Sequence, residues 1–227
     1  MKSKLFVISV GGSLINPGEV DTAFLNNLKK LIINQTAKGN RFILICGGGK
    51  LSRKYADALK TTSTPSADDL DWLGIQATWL NAKLVQLMFG KLAHKTIISD
   101  PNKKVNFKEK ILVAGGWTPG RSTDDDAVRL AKIYGSQTVI NLSNIDFAYD
   151  KDPNKFKDAK KITLISWAEF KKIVGNKWDP GKNAPFDPTA TALASKLKLQ
   201  VIIANGKNLT NLENILQNKP FLGTTIH

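Results

Sequence analysis

The chain has 227 residues, 42% of them hydrophobic and 23% charged, with a formal net charge of +14. That length and apolar content build a sizeable core in one compact α/β unit, and no apolar run reaches the ~18–20 residues a membrane span needs. Cys46 is the only cysteine, which excludes an intrachain disulfide and points to a reducing compartment, the cytoplasm.

The first strand-like run, residues 5–10, is apolar except at Ser9 and ends at Gly11-Gly12. It is too short for a signal-peptide core and lacks a small-residue cleavage site. Phe24, Leu25, Leu28, Leu31 and Ile32 then repeat at helical spacing up to Gly39. Residues 42–46 form a second buried-strand pattern, ended by Gly47-Gly48-Gly49, and a helix is expected over about 51–60. Residues 61–67 are Ser/Thr/Pro-rich and read as a loop. Leu70, Leu73, Ala77, Leu80, Leu84 and Leu87 mark a long amphipathic helix, with Asp71 placed to open it as an acidic first-turn residue. A third strand at 111–114 ends in Gly115-Gly116. Ala127, Leu130, Ala131 and Tyr134 share a helical face, and Thr123 and Asp124 suit its N-cap. Strands at 138–142 and 201–204 follow, and Asp187-Pro188 between them pairs an N-cap with proline at the first helical position. Residues 150–161 are polar and read as a loop. Alternating strands and helices predict an α/β fold, a three-layer αβα sandwich around a mostly parallel, open, twisted sheet.

Three of these strands end in glycine clusters, with Pro119-Gly120 extending the third. Glycine lets backbone approach a phosphate and aim several N–H groups at it, and a following helix adds its dipole. In open α/β sheets such loops sit at the carboxyl ends of the strands, where ligands bind. One cluster alone is usually a tight turn; three in one small sheet suit a bed for several phosphates. There is no G-x-x-x-x-G-K-S/T loop and no G-x-G-x-x-G after a strand, so ordinary P-loop and Rossmann readings are disfavoured. His94 and His227 have no metal-ligand spacing, and no protein metal site is expected.

On these residues the sequence resembles the amino-acid-kinase family, and within it the archaeal type of uridylate (UMP) kinase. The resemblance runs over nearly the whole chain. It rests on V-G-G-S at 10–13, C-G-G-G-K-L-S-R-K-Y at 46–55 and D-W-L-G-I-Q-A-T at 71–78. It continues through A-G-G-W-T-P-G-R-S-T-D at 114–124, N-I-D-x-x-Y-x-K-D-P at 144–153, Asp187-Pro188 and G-T-T-I at 223–226. The Asp71-x-x-Gly74 helix and the Pro-Gly loop ending in Ser122-Thr123-Asp124 are the two motifs that set uridylate kinases apart. Ser9 and Ala192 stand where many members of the family carry lysine, and Phe147 where a glycine is usual.

The resemblance implies one domain over 1–227, with an acceptor lobe at about 1–135 and an ATP lobe at about 136–227. It implies transfer of the γ-phosphoryl of ATP to UMP, with Mg²⁺ held mainly by the nucleotide phosphates. Gly12 and Ser13 would meet the ATP phosphates, Gly48 the UMP phosphate, and Gly49 with Arg53 the phosphates in transfer; Gly12, Gly49 and Arg53 are the catalytic candidates. Asp71 would accept from the UMP ribose hydroxyls. Trp117, Thr118, Pro119, Gly120, Arg121, Ser122 and Thr123 would close on the uracil and UMP phosphate. Ser143, Asn144, Tyr149 and Asp152 would hold the adenine and ribose of ATP. The implied assembly is a homo-oligomer, a hexamer, to which the apolar face of the long helix could contribute unless that face is core. No nucleic-acid or membrane partner is expected, since the lysines are scattered rather than gathered into a stripe.

Two other readings stand beside this one. The first is a kinase of the same family acting on acetylglutamate, glutamate, carbamate or isopentenyl phosphate. The second is a nucleotide- or oxyanion-binding protein with little catalysis, which Ser9 and Ala192 keep open. The role given to Arg53 carries a test. Arg53→Ala is expected to lower kcat on the order of 100-fold, as loss of one charge-stabilising donor does, with little change in melting temperature. An unchanged kcat removes Arg53 from the chemistry.

Overall fold

The computed structural model describes residues 3–153, 155–175 and 184–227; Met1 and Lys2, and Asn154 within the stretch read as a polar loop, lie outside the described residues. β1 (Leu5–Val10) leads through α1 (Gly12–Ile15) to α2 (Thr22–Ala37), and β2 (Arg41–Cys46) to α3 (Gly49–Thr62) and α4 (Ala67–Phe89). After a 3-10 turn at Gly90–Leu92 come β3 (Ile111–Ala114), α5 (Thr123–Tyr134) and β4 (Thr138–Ser143). A small hairpin of β5 (Ala148–Tyr149) and β6 (Lys161–Ile162) precedes β7 (Leu164–Ile165), α6 (Trp167–Val174) and α7 (Pro188–Lys196). β8 (Gln200–Asn205), α8 (Leu209–Leu216) and β9 (Thr224–Ile226) follow.

Seven strands form one sheet in the order β3-β2-β1-β4-β8-β9-β7, in which β9 runs against β8 and the other pairs are parallel. Successive side chains of a strand point to opposite faces, and both faces are covered here. Phe42, Leu44 and Cys46 of β2 pack with Leu28 and Ile32 of α2, Val85 of α4 and Leu212 of α8. Ile43 and Ile45 pack on the other side with Val128 of α5, Phe170 of α6 and Ala190 of α7. Burial on both faces is why the strands read as unbroken apolar runs. The expected three-layer α/β architecture is the observed one.

Local readings are decided or overturned at three points. The leucine stripe of α4, left open between interface and core, is not simply core: Leu80 and Leu87 are 62% and 63% exposed, and Leu84 is exposed too. Ile75, Ala82, Val85 and Phe89 face the core instead. Asp71 does not open α4. Ser66 caps it in a capping box with Asp69, which puts Asp71 in the second turn. The cap of α5 is Ser122, whose side chain accepts from the Asp125 N–H at 3.3 Å, rather than Thr123 or Asp124.

The ends of β1 and β2 are joined more tightly than side chains allow. A Cβ at Gly12 would lie 2.6 Å from the carbonyl carbon of Gly47 and 2.7 Å from that of Gly48. Gly49 has φ +66°, and a Cβ there would lie 2.7 Å from the Gly12 carbonyl carbon and 2.8 Å from Asn16 O. The two loops therefore pack backbone on backbone. Gly12→Ala is expected to cost about 3 kcal/mol, the upper end for overpacking. For a chain of this size that lowers the melting temperature by roughly 6–12 °C in a calorimetric scan; an unchanged melt contradicts the backbone contact.

Candidate active site

β1, β2, β3, β4 and β8 are parallel, so their carboxyl ends share one edge of the sheet. The three glycine clusters lie there, and so does a fourth glycine, Gly206 after β8, which sequence reading passed over. A Cβ at Gly206 would lie 3.1 Å from Leu142 Cβ and overlap the Leu14 side chain, so β8 turns away directly against α1. Gly11 N donates to Leu142 O at 2.8 Å, Gly47 N to Val10 O at 3.0 Å, and Gly206 N to Ser143 O at 2.8 Å. Each loop is thereby pinned to a neighbouring strand or its end.

Helix starts differ in kind along the chain. Side chains cap α2, α4, α5, α6, α7 and α8, through Asp21, Ser66, Ser122, Ser166, Asp187 and Asn208. The glycine-started α1 and α3 have no side-chain cap and no acidic residue in the first turn. The first N–H groups of a helix lack intrahelical partners and carry its positive end. Lys50 and Arg53 add cationic side chains to the start of α3, where the dipole alone disfavours them, and Arg53 is exposed. Backbone N–H groups, an ammonium and a guanidinium form a donor set suited to phosphate oxygens.

One stripe of α4 holds the loops. Asp71 Oδ2 accepts from Gly120 N at 2.7 Å, and Thr78 Oγ1 from Gly116 N at 2.7 Å. Asn81 Nδ2 donates to Gly47 O at 2.8 Å and Gly48 O at 3.2 Å, and Trp79 Nε1 to Gly116 O at 2.7 Å. Gly74 lets α4 approach Gly48, whose added Cβ would lie 3.3 Å from Gly74 O. Asp71, Gly74, Thr78 and Asn81 recur at the three- and four-residue steps of one helical face. That polar periodicity is the signal that could have found Thr78 and Asn81.

The structure thus brings together Gly12, Ser13, Gly48, Gly49, Asp71 and Gly120 around the first three loops. Trp117, Thr118 and Pro119 are half-buried in the third loop, where Arg121 Nη1 stands 3.9 Å from Asp125 Oδ1. Ser143 ends β4 further along the edge, and Asn144 follows it. Tyr149 pairs with Lys161 in the β5–β6 hairpin, and Asp152 lies in the turn beyond, 4.0 Å from Lys155. Those two lie on a different element from the glycine loops.

Under the first loop is an acidic pocket. Ser9 is buried and its Oγ donates to Asp124 Oδ1 at 3.2 Å; Asp187 N donates to Asp124 Oδ2 at 3.4 Å. Asp187 Oδ1 caps α7, and its Oδ2 is buried without a hydrogen-bond partner among the described residues. Burial, reinforced by the neighbouring Asp187 charge, pushes the Asp124 carboxyl up to about 7. Asp126, 1% exposed, is pushed up to about 8 by burial and by Asp125, with Arg129 and the Trp117 N–H opposing. Both groups bind protons more tightly folded than unfolded. The stability they contribute is therefore full in acid and lost as pH rises through about 7 and 8. The melting temperature is expected to fall from pH 5 to pH 9, and Asp126→Asn to flatten that fall; the same slope in both proteins contradicts the assignment.

A profile of the Amino acid kinase family matches residues 4–205. Among similar proteins, a uridylate kinase of Thermoplasma volcanium is 35% identical over 224 residues, covering 97% of this chain and 96% of that one. A uridylate kinase of Methanobrevibacter smithii is 32% identical over 209 residues, covering 91% and 92%. The crystal structure of a uridylate kinase from Archaeoglobus fulgidus superposes with a TM-score of 0.79 at 27% identity, over the whole of both chains.

Proposed function

The chain belongs to the amino acid kinase family, and from that premise we propose that it is a uridylate kinase, transferring the γ-phosphoryl of ATP to UMP. The observation that carries the reading is the hydrogen bond from Gly120 to Asp71. It joins the two motifs that mark a nucleotide acceptor, and the relatives named uridylate kinase support it.

In this reading Gly48 meets the UMP phosphate through its backbone, and residues 117–123 close on the uracil. The second carboxylate oxygen of Asp71 accepts from the ribose while the first holds the loop. Gly12 and Ser13 meet the ATP phosphates at the start of α1. Ser143, Asn144, Tyr149 and Asp152 hold the adenine and ribose, so the acceptor lies toward residues 1–135 and ATP toward 136–227. The UMP phosphate oxygen is already anionic and needs no general base. Catalysis then consists of alignment and of neutralising charge on the moving phosphoryl. Backbone N–H groups at Gly12 and Gly49 do so with Arg53, aided by Lys50 and Arg121. Mg²⁺ on the ATP oxygens supplies further neutralisation; the donors of α1 and α3 fit phosphate oxygens, so the ion would enter on the nucleotide.

Among the described residues no helix is long and apolar enough to cross a membrane. The reading places the protein in the cytoplasm as a homo-oligomer, a hexamer, which the exposed Trp72, Leu80, Leu84 and Leu87 of α4 support. ADP release from Mg-ATP, measured against UMP, CMP, dUMP, acetylglutamate and isopentenyl phosphate, is expected to be fastest with UMP. Faster turnover of another acceptor overturns the assignment. ATP binding with silence across the panel makes the protein a binder rather than a kinase.

A further inference from the structure

Trp117 follows Gly116, a residue of the third glycine loop gripped at both ends. Gly116 donates its N–H to Thr78 and its carbonyl accepts from Trp79, both at 2.7 Å. The indole of Trp117 is held from the other side. The guanidinium carbon of Arg129 lies 5.1 Å from its ring centroid. Arg129 is itself fixed: Nε donates to Asp125 Oδ2 at 2.6 Å, and Nη1 to Asn102 Oδ1 at 3.1 Å. Asp125 is 1% exposed, so this ion pair is anchored within the first turns of α5 rather than loose at the surface. A planar guanidinium tied along its edges keeps its flat face for an aromatic ring, and tryptophan is the strongest partner for that contact. Backbone and ring of this residue are thus set by α4 and α5 before any ligand arrives.

We propose that Arg129 is a positioning residue for acceptor recognition, setting the Trp117 indole as a flat wall for the planar base of a pyrimidine nucleotide. The proposal rests on the reading of residues 117–123 as the acceptor loop. A preset aromatic wall favours a planar heterocycle over an aliphatic acyl or prenyl group, because stacking needs two flat faces. Arg129 acts through Trp117 and not on substrate. Its removal should therefore weaken UMP alone, whereas a merely structural ion pair would weaken both nucleotides together.

The test is steady-state kinetics on the full chain, with melting curves as the folding control. Trp117→Ala is expected to raise the KM for UMP about tenfold, the scale of a lost base–aromatic stack. Arg129→Met is expected to raise it about three- to tenfold, the scale of a lost cation–π contact, without moving the KM for ATP. Arg129→Lys, which keeps the charge over the ring, recovers part of the loss. If Arg129→Met folds poorly because buried Asp125 keeps only its 3.9 Å ion pair with Arg121, Asp125→Asn with Arg129→Met removes that charge and carries the same KM comparison. A raised KM for UMP in Trp117→Ala but not in Arg129→Met overturns the positioning role and leaves the acceptor loop standing. An unchanged KM in Trp117→Ala overturns the acceptor loop and the proposal with it. Equal rises for UMP and ATP in Arg129→Met reduce Arg129 to a structural residue and overturn the proposal.

Discussion

The structure turns on a contact in which no side chain takes part, that of Gly12 against Gly47, Gly48 and Gly49. β1 and β2 pair in parallel from Leu5 and Arg41 to Val10 and Cys46, and the chain leaves both strands at the same level. Two departing loops at strand spacing have room for Cβ atoms; these do not. Their closeness puts the starts of α1 and α3 side by side, neither with a side-chain cap. The outcome is a concentration of positive charge made of backbone, which costs no reorganisation when an anion arrives. Lys50 and Arg53 extend it in the direction that helix electrostatics alone would oppose.

α4 shows how one element serves fold and site together. Its core face, with Ala82, Val85 and Phe89, covers the sheet near β2 and β3. Its loop-facing stripe holds the second and third glycine loops through Asn81, Thr78 and Asp71. A helix with two inward faces has little perimeter left, and its leucines at 80, 84 and 87 fall outside. The third glycine loop then inherits the rigidity of α4 on one side and of α5 on the other, where Ser122, Asp125 and Arg129 set its far end.

Near the start of α5, Asp124 and Asp187 approach one another with the Ser9 hydroxyl as a neutral neighbour. A cation from β1 would oppose protonation of Asp124. With serine there, burial and mutual repulsion favour a proton, and the N-terminal ends of α5 and α7 supply only the partial charge of their dipoles. Asp187 shows that the same carboxyl can serve structure at one oxygen, capping α7, and leave the other to the pocket.

The sequence by itself determined the order of strands and helices, the burial of the strands on both faces and the glycine edge. Each of these is written in short-range features: apolar runs, helical spacing, and glycine where the chain must turn. It also carried the motifs by which the family is recognised, since those residues are contiguous. Shorter elements escaped it. α6 and α8 have eight residues each, too few repeats to separate a helical period from chance. Only the tertiary structure decided which face of α4 is inside, because exposure depends on what packs against a helix and not on its own spacing. Only it joined Asp71 to Gly120 across 49 positions and Ser9 to Asp124 across 115. Such contacts are set by where the sheet brings its strand ends, and no local pattern in the chain encodes that.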